Sequence, residues 1–559
     1  MKILLIAINA KYIHSNLAVY SLKAYAKDPR VELAEYTINH LREAILADIY
    51  KRKPDIAAFS CYLWNIDYVR ALIPELKQVL PDVRIWAGGP EVSYDSGDFL
   101  TAFPQAELVM NGEGEATFRE LLTGADLSTV KGITFREPDG TIRENPPRPL
   151  LSLNELPFLY ENLDAFENRI IYYESSRGCP FSCSYCMSSI DKRVRFRSLE
   201  LVKKELQFFL DHKVPQVKFV DRTFNCSHAH ALGIWNYIKD HDNGITNFHF
   251  EISADLLTEE ELTLLRSFRP GLAQFEIGVQ STNPETLKAI SRNVEFSKIA
   301  RTVEQVRQGG NIHQHLDLIA GLPYEDFESF QKSYNDVYAL KPDQLQLGFL
   351  KVLKGSPMHA KAENFGIVYR ALAPYEVLKS DWISYEELLK LKSVEEMTEI
   401  YYNSRQFTHT MEYLEPLFPD AFTMYARLGA FYEEKGYAGR SHSRMGRLNI
   451  LREFALETPG CSQTLAEACL LYDLYLRENS KSRPSWAPDL SGEKDAIYAF
   501  YQKEANEHYY LKYEESWQPR QLMHMTHLEI FQGKDWVLFD YRSRNPLTGD
   551  AAVHRISHE

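Results

Sequence analysis

Glu174-Ser-Ser-Arg-Gly-Cys179-Pro-Phe-Ser-Cys183-Ser-Tyr-Cys186 places three cysteines at the spacing C-x3-C-x2-C. An apolar, strand-like run at 170–173 leads into it. Three thiolates on one short loop suit three irons of a cubane iron–sulfur cluster and leave the fourth iron without a protein ligand, open to a substrate or cofactor. An electron-transfer cluster normally takes four protein ligands, and structural zinc is normally four-coordinate. A triad with no further cysteine nearby therefore predicts a reactive, open site. The competing assignment is a zinc loop completed by a distant histidine or by Cys226.

Outward from this loop the chain repeats a β/α pattern. Strand-like runs fall at 170–174, 216–220, 247–252, 273–278, 313–319 and 344–349. Helix-like runs lie between them at 199–212, 229–240, 259–268, 284–290 with 296–308, and 327–340. Six such units predict an open, partial β/α barrel with its chemistry at the carboxyl ends of the strands. Those ends carry polar residues: Asp221 and Arg222 after the second run, Glu251 and Asp255 at the third, Gln280 at the fourth with Arg292 beyond it, and Asp317 in the fifth. Each carboxylate by itself is equally well a helix cap or an ion-pair partner. As a set beside the triad they read as one ligand site.

The motif C-x3-C-x-aromatic-C after a strand, with Tyr185 as the aromatic, resembles the radical SAM superfamily. The resemblance implies a [4Fe-4S] cluster on Cys179, Cys183 and Cys186 whose open iron chelates the amino and carboxylate groups of S-adenosylmethionine. Reduction of the cluster then cleaves the sulfonium to a 5′-deoxyadenosyl radical. By similarity to cores of the coproporphyrinogen oxidase type, Gln280, Arg292 and Asp317, with Glu251 behind them, clamp the methionine and ribose parts, and the backbone of Tyr185 meets the adenine. An arginine pairs bidentately with a carboxylate, and Asp or Glu accepts from ribose hydroxyls or the amino group. Asp221 joins this set either as a group facing the ligand or as a partner of Arg222 or a turn cap.

Residues 1–130 alternate differently spaced runs. Strand-like segments at 2–8, 31–37, 56–61, 84–87 and 107–110 are separated by amphipathic segments at 17–25, 41–50, 66–80 and 116–122. That is the pattern of a doubly wound, Rossmann-like parallel sheet, whose ligands sit at the carboxyl ends of the strands. The loops there are Asn9 to Asn16 with His14, Ser60 to Asn65, Gly88-Gly89-Pro90-Glu91 and Asn111-Gly112-Glu113-Gly-Glu115. The two glycine-bearing loops resemble those of the cobalamin-binding domain upstream of many radical SAM cores, which implies cobalamin (B12) as a second cofactor. The Asp-x-His-x-x-Gly signature of other cobalamin proteins is absent, so the resemblance implies cobalamin without a histidine from that signature. His14, Tyr62 and Trp64 are candidates to stand near the expected cobalt, and each reads equally well as ordinary loop packing. A domain that keeps the fold and has lost the cofactor is the alternative. Methylthiotransferases also join an α/β domain to a radical SAM core, but theirs carries a second cysteine triad, and here Cys61 stands alone.

The rest is read from composition. The chain has 559 residues, a formal net charge of −14 and seven cysteines, four of them scattered with no disulfide-like framework. That predicts several domains, disfavours a general grip on nucleic acid and points to the reducing cytoplasm. No run of 18 apolar residues exists for a membrane span. Lys192, Arg193, Arg195 and Arg197 read as a solvated turn. Segment 131–168 begins with a hairpin around Pro138-Asp-Gly140 and continues as a proline-rich linker. Residues 169–355 form the barrel. Residues 356–559 are mostly helical, with a loop at 480–490 and a strand pair at 527–531 and 536–541. This last segment resembles the family-specific extensions that cap such barrels.

The fold class expected is therefore α/β: a doubly wound cobalamin-binding domain, a partial (β/α)6 radical SAM barrel and a mostly helical C-terminal domain. The activity the resemblance implies is cobalamin-dependent methylation of an unactivated centre in an unknown substrate, fed by a low-potential donor such as flavodoxin or ferredoxin. Ring closure, rearrangement or oxidation without methyl transfer is the first alternative, and a non-catalytic iron–sulfur regulator the second.

Overall fold

A computed structural model of the chain describes residues 1–556 apart from 514, 516 and 532. The first sheet is built from β1 (Ile3–Asn9), β2 (Val31–Thr37), β3 (Ile56–Ser60), β4 (Arg84–Gly88) and β5 (Ala106–Met110), all parallel, in the order β2-β1-β3-β4-β5. Every residue of β1 is buried. Leu4, Ile6 and Ile8 enter one apolar layer and Ile3, Leu5 and Ala7 the other, as period-2 alternation requires of a strand covered by helices on both faces. The strand order reverses between β1 and β3, so the crevice for a ligand opens beyond their carboxyl ends.

The hairpin expected at the start of the linker belongs to this sheet. β6 (Ile133–Arg136) extends it antiparallel to β5, and β7 (Ile142–Glu144) pairs antiparallel with β6. The cause is burial: Ile133 and Phe135 complete the layer that contains Leu108 and Met110, and each large apolar side chain so buried contributes roughly 1.5–3 kcal/mol.

The second sheet is a six-stranded, open, all-parallel array. Its strands, β8 (Ile171–Tyr173), Gln216–Phe219, Asn247–Ile252, Ala273–Gln280, His313–Ala320 and Gln344–Phe349, lie side by side in chain order. Val217, Phe219, Phe248, Phe250, Phe275, Ile277, Leu316 and Leu318 belong to the apolar layer packed under the surrounding helices. The alternate positions, Tyr172, Lys218, His249, Glu251, Glu276, His315 and Asp317, therefore face the lumen. Lys218 Nζ lies 3.0 Å and His249 Nε2 2.9 Å from Glu276 Oε2, and His315 Nε2 lies 3.0 Å from Asp317 Oδ1. The lumen is thus polar and internally charge-paired.

Behind the barrel strands, Glu325 is buried, with Oε1 accepting from Ser281 (2.7 Å) and Ser333 (2.9 Å) while Oε2 has no partner. Burial, only partly offset by the two serines, pushes its carboxyl from 4.5 up to about 7. An acid raised by folding stabilises fully below its unfolded value, and that stability is lost as pH rises through the folded value. We expect about 3 kcal/mol to be lost between pH 5 and 8. Glu325→Gln should abolish that slope, measured as the denaturation midpoint of the barrel at both pH values. An equal slope in the variant would refute the assignment.

The C-terminal helices Tyr385–Thr398, Thr408–Leu414, Ala421–Glu434, Arg444–Glu457 and Gln463–Arg477 share one continuous core with the barrel. Phe422 packs edge-on to Tyr334 of the barrel helix Phe327–Tyr338, and its N–H donates to Asn335 at 2.9 Å. The expected strand pair is a three-stranded antiparallel sheet, Thr526–Phe531, Asp535–Arg544 and Ala551–Ile556. The loop around 480–490 is tied to it, because Arg483 pairs with the fully buried Glu529 at 2.6 Å. Among the described residues no helix is long and apolar enough to cross a membrane.

Candidate active site

The cysteine loop leaves β8 through Glu174. Asp221, at the end of the neighbouring strand, fixes its first residues: Ser175 N (2.9 Å), Ser175 Oγ (2.6 Å) and Ser176 Oγ (2.6 Å) all donate to its carboxylate. Burial pushes this carboxyl up to about 6. Asp221 is 1% exposed and borders neither cavity described below. Of the three roles the sequence left open, its contacts match the turn cap: it faces neither cavity and does not pair with Arg222. It clamps two strand ends. Gly178 follows at φ +92°, where a Cβ would stand 2.5 Å from the Arg193 carbonyl oxygen, so the turn into Cys179 requires glycine. The loop is then pinned by Cys179 N to Asp191 O (3.0 Å), Ser184 N to Ile290 O (2.9 Å) and Met358 N to Ser184 O (2.8 Å).

Cys179, Cys183 and Cys186 are free thiols on the wall of a 570 Å³ cavity at the barrel mouth. Tyr185, Glu251, Gln280, Arg292 and Asp317 line the same cavity, so tertiary structure brings this predicted set together. Arg292 donates to the Gly278 carbonyl and, at 3.4 Å, to the Tyr185 hydroxyl, while its buried Nε has no partner. Gln280 sits at φ +72° where the strand register slips between Gly278 and Gln280, and its buried Oε1 is also unpartnered. A β-bulge re-aims a side chain in this way, and a glutamine held at positive φ is strain of the kind found at ligand sites. Burial, together with the charges of Glu276 and Asp317 and against Arg222, pushes the Glu251 carboxyl up to about 7.

These residues fit the groups the motif implies. The cavity offers a donor without a hydrogen-bond partner, Arg292 Nε, two such acceptors, Gln280 Oε1 and Asp317 Oδ1, and three thiols free of disulfides. Burial raises the Cys183 thiol, and a metal reverses that, since the thiolate is the ligand. A single tetrahedral zinc would draw its sulfurs to within about 3.8 Å of one another. Among the described residues no group of three His, Cys, Asp or Glu is arranged to hold one metal ion, so the zinc loop gains no support.

A larger cavity of 980 Å³ lies between the first sheet and the barrel, at the upper end of what cofactor sites occupy. Ser60, Tyr62, Gly88, Gly89, Pro90, Gly112 and Glu113 line it from the first domain, as the sequence predicts. Asn9, His14 and Glu91 do not border it. Asn9 Nδ2 donates to Glu35 (2.9 Å) and to the His14 carbonyl (3.0 Å), His14 Nδ1 lies 2.6 Å from the Tyr172 hydroxyl, and Glu91 accepts from Tyr375 (2.8 Å). These three polar groups are consumed by packing between the loop, the barrel and the C-terminal domain. Trp64 likewise donates to the Ile8 carbonyl at 3.0 Å and stacks on Tyr62.

Gly89 has φ +112°, and a Cβ there would stand 2.4 Å from the Cys61 carbonyl oxygen. Gly89→Ala must therefore displace the loop backbone. We expect bound cobalt to fall at least about tenfold while iron stays unchanged, read by metal analysis of anaerobically purified protein. Full cobalt in the variant would remove this loop from the site.

Charge pairing between the domains escaped the sequence. Arg177 meets Glu115 (2.6 Å), Glu174 (2.8 Å) and Glu113 (3.5 Å). Arg195 also pairs with Glu113, and Arg197 is buried against Glu205 at 2.5 Å. Of the four residues read as a solvated turn, only Lys192 and Arg193 are exposed. Arg177 lies two residues before Cys179, so its position was visible, but its acidic partners are distant in sequence. The two cavities are neighbours: Ser188 and Arg222 line both.

Comparison with known proteins agrees with this geometry. Residues 3–122 match the B12 binding domain and 173–337 the Radical SAM superfamily. A cobalamin-dependent radical SAM methyltransferase, TokK, of Streptomyces tokunonensis is 28% identical over 359 residues, 56% of this chain and 50% of that one. An anaerobic magnesium-protoporphyrin IX monomethyl ester cyclase of Synechocystis is 26% identical over 287 residues, 48% and 56%. The chain spans about half the length of these curated relatives. Among solved structures, the radical S-adenosylmethionine methyltransferase TsrM from Kitasatospora setae superposes with a TM-score of 0.55 at 19% identity, covering 68% of this chain and 79% of that one. The cobalamin-dependent S-adenosylmethionine radical enzyme OxsB gives 0.58 at 15%, covering 85% and 80%. At these identities the likeness is one of fold.

The chain thus carries a B12-binding domain followed by a Radical SAM domain. In its C-terminal part, residues 363–540 match a family described as Protein of unknown function (DUF4080).

Proposed function

We propose that this protein is a cobalamin-dependent radical SAM enzyme that methylates an unactivated centre. The observation that carries the proposal is the wall at Ser188 and Arg222, shared by a cavity that holds the cysteine triad and a cavity lined by the B12-domain loops. When bound, the cluster would deliver an electron to S-adenosylmethionine and cobalamin would carry the methyl group.

The chain's own residues position and enclose. Cys179, Cys183 and Cys186 would hold the cluster. Arg292, with its free Nε, and Gln280, with its free Oε1, would take the carboxylate and amino ends of the methionine part, exchanging two buried unpartnered atoms for hydrogen bonds. Asp317 and Glu251 would accept from hydroxyls, and Tyr185 would border the adenine. Ser60, Gly88, Gly89, Pro90 and Gly112 would form the floor of the cobalamin site, where glycine lets backbone approach closely. Placing both sites beside one shared wall gives a substrate effective proximity to each. A low-potential donor of the flavodoxin or ferredoxin kind would supply electrons, and free cysteines suit a reducing cytoplasm.

The test is anaerobic incubation of iron- and cobalamin-loaded protein with reductant, a small-molecule extract and S-adenosylmethionine labelled in its methyl group. Methylation predicts 5′-deoxyadenosine together with a labelled product heavier by one CH₂. The cyclase relative favours a second reading, ring closure, which predicts 5′-deoxyadenosine and a product without label. Absence of 5′-deoxyadenosine would exclude both.

A further inference from the structure

We propose that Arg222 receives an anionic group of the substrate, a carboxylate or a phosphate; the inference rests on the two facing cofactor cavities proposed above. Six arginines line the larger cavity. Arg148 pairs with Glu120, Arg177 with three glutamates, Arg193 with Asp191 at 3.6 Å, Arg195 with Glu113 and Arg197 with Glu205. Arg222, the sixth, has no hydrogen bond or ion pair to its side chain among the described residues. It also borders the smaller cavity, where the other arginine, Arg292, is already engaged by the Gly278 carbonyl and Tyr185. Arg222 is therefore the arginine that borders both cavities and, among the described residues, has neither an ion pair nor a side-chain hydrogen bond.

The physical argument concerns what happens when the cavities fill. A guanidinium cannot shed its proton. While both cavities hold water, Arg222 is exposed and solvated. Occupied cavities expel that water, and a desolvated charge persists only if it is paired. The protein supplies no such partner: Glu251 is near enough for the Arg222 charge to act on it, yet the two form no ion pair. Burial and acidic neighbours also favour the protonated form of Glu251, which leaves it a poor counter-ion. An incoming anion satisfies the requirement, and the planar fork of arginine matches a carboxylate or a phosphate oxygen pair.

The test uses anaerobic holoenzyme with two probes, radiolabelled inorganic phosphate and radiolabelled succinate, in equilibrium dialysis. One of them should bind at one per chain, the better binder distinguishing phosphate from carboxylate. Arg222→Gln should weaken it about tenfold or more and Arg222→Lys less, with iron and cobalt contents unchanged. Phenylglyoxal should modify Arg222 in the holoenzyme, mapped by peptide mass spectrometry, and the same anion should protect it. The proposal falls if binding is indifferent to both substitutions up to about 10 mM anion, if S-adenosylmethionine alone protects Arg222, or if Arg222→Gln loses cobalt, since Arg222 would then serve a cofactor. Failure of the enzyme reading shows separately, as wild-type protein that makes no 5′-deoxyadenosine.

Discussion

Cys183→Ala, prepared and reconstituted under strict anoxia, should lose the intact cluster and with it cleavage of S-adenosylmethionine, by about a thousandfold or more, equivalent to about 4 kcal/mol. Cys183 stands at the middle of the triad on the cavity wall, and three thiolates are the minimum that leaves one iron open. Removing one frees a second iron and exposes the cluster to loss. The substitution carries little structural penalty, because the loop is held by backbone hydrogen bonds at Cys179, Ser184 and Cys186. Cys461→Ala, in the C-terminal domain, is the matched control and should keep full iron and full cleavage. The measurements are iron and sulfide per chain, the cluster's electron paramagnetic resonance signal, and 5′-deoxyadenosine after reduction. A variant with a complete cubane and wild-type cleavage would refute the assignment of the triad.

Arg177→Met should separate the first domain from the barrel. Its guanidinium holds Glu113 and Glu115 of the first domain to Glu174 of the barrel, and its side chain is only 18% exposed. Breaking a buried pair by removing one partner costs about 3–5 kcal/mol, because the remaining charges are left uncompensated. Here Glu115 and Glu174 would lose their cation, while Glu113 keeps Arg195. The sign with pH follows. Burial works to raise the Glu115 carboxyl, but Arg177 outweighs it and holds it below the usual range. Without Arg177 burial wins and the carboxyl rises, so stability is present at low pH and lost as pH rises. The variant should therefore be destabilised already near pH 5, where the wild-type pair is formed, and most of all near pH 8, with loss of cobalt at the higher pH. Thermal unfolding and metal analysis across that range check this. A variant with unchanged melting temperature and full cobalt at pH 8 would show that the contact is incidental.

Both predictions rest on residues in the stretch from Glu174 to Cys186, yet they were not equally readable. The triad is a local pattern: three cysteines within eight residues after a strand define their chemistry wherever the loop lies. Patterning located the strand ends that carry Gln280, Asp317 and Glu251, and parallel sheets gather strand ends at one mouth; choosing these three and Arg292 as ligand residues came from the resemblance. Asn9, His14, Asp221 and Glu91 lie outside both cavities for a common reason. Each is a polar residue at a strand end, as a ligand-binding residue would be, but each is engaged by a partner that only tertiary contact supplies: Glu35, Tyr172, Ser175 and Tyr375. The hairpin at 133–144 was recognised as a hairpin but placed in the linker, since strand pairing with β5 leaves no mark in either strand.

The amino-acid sequence by itself determined the two β/α repeats, the open cluster loop and the resemblance that follows from it. Those depend on alternation and spacing along one segment, where burial of each apolar residue acts through its own helix or strand. Only the tertiary structure decided which polar side chains remain free for a ligand and which neutralise one another. Coulombic and hydrogen-bond partners are chosen across tens to hundreds of residues, and so the charge of Arg177 is cancelled while that of Arg222, facing the same cavity, is not.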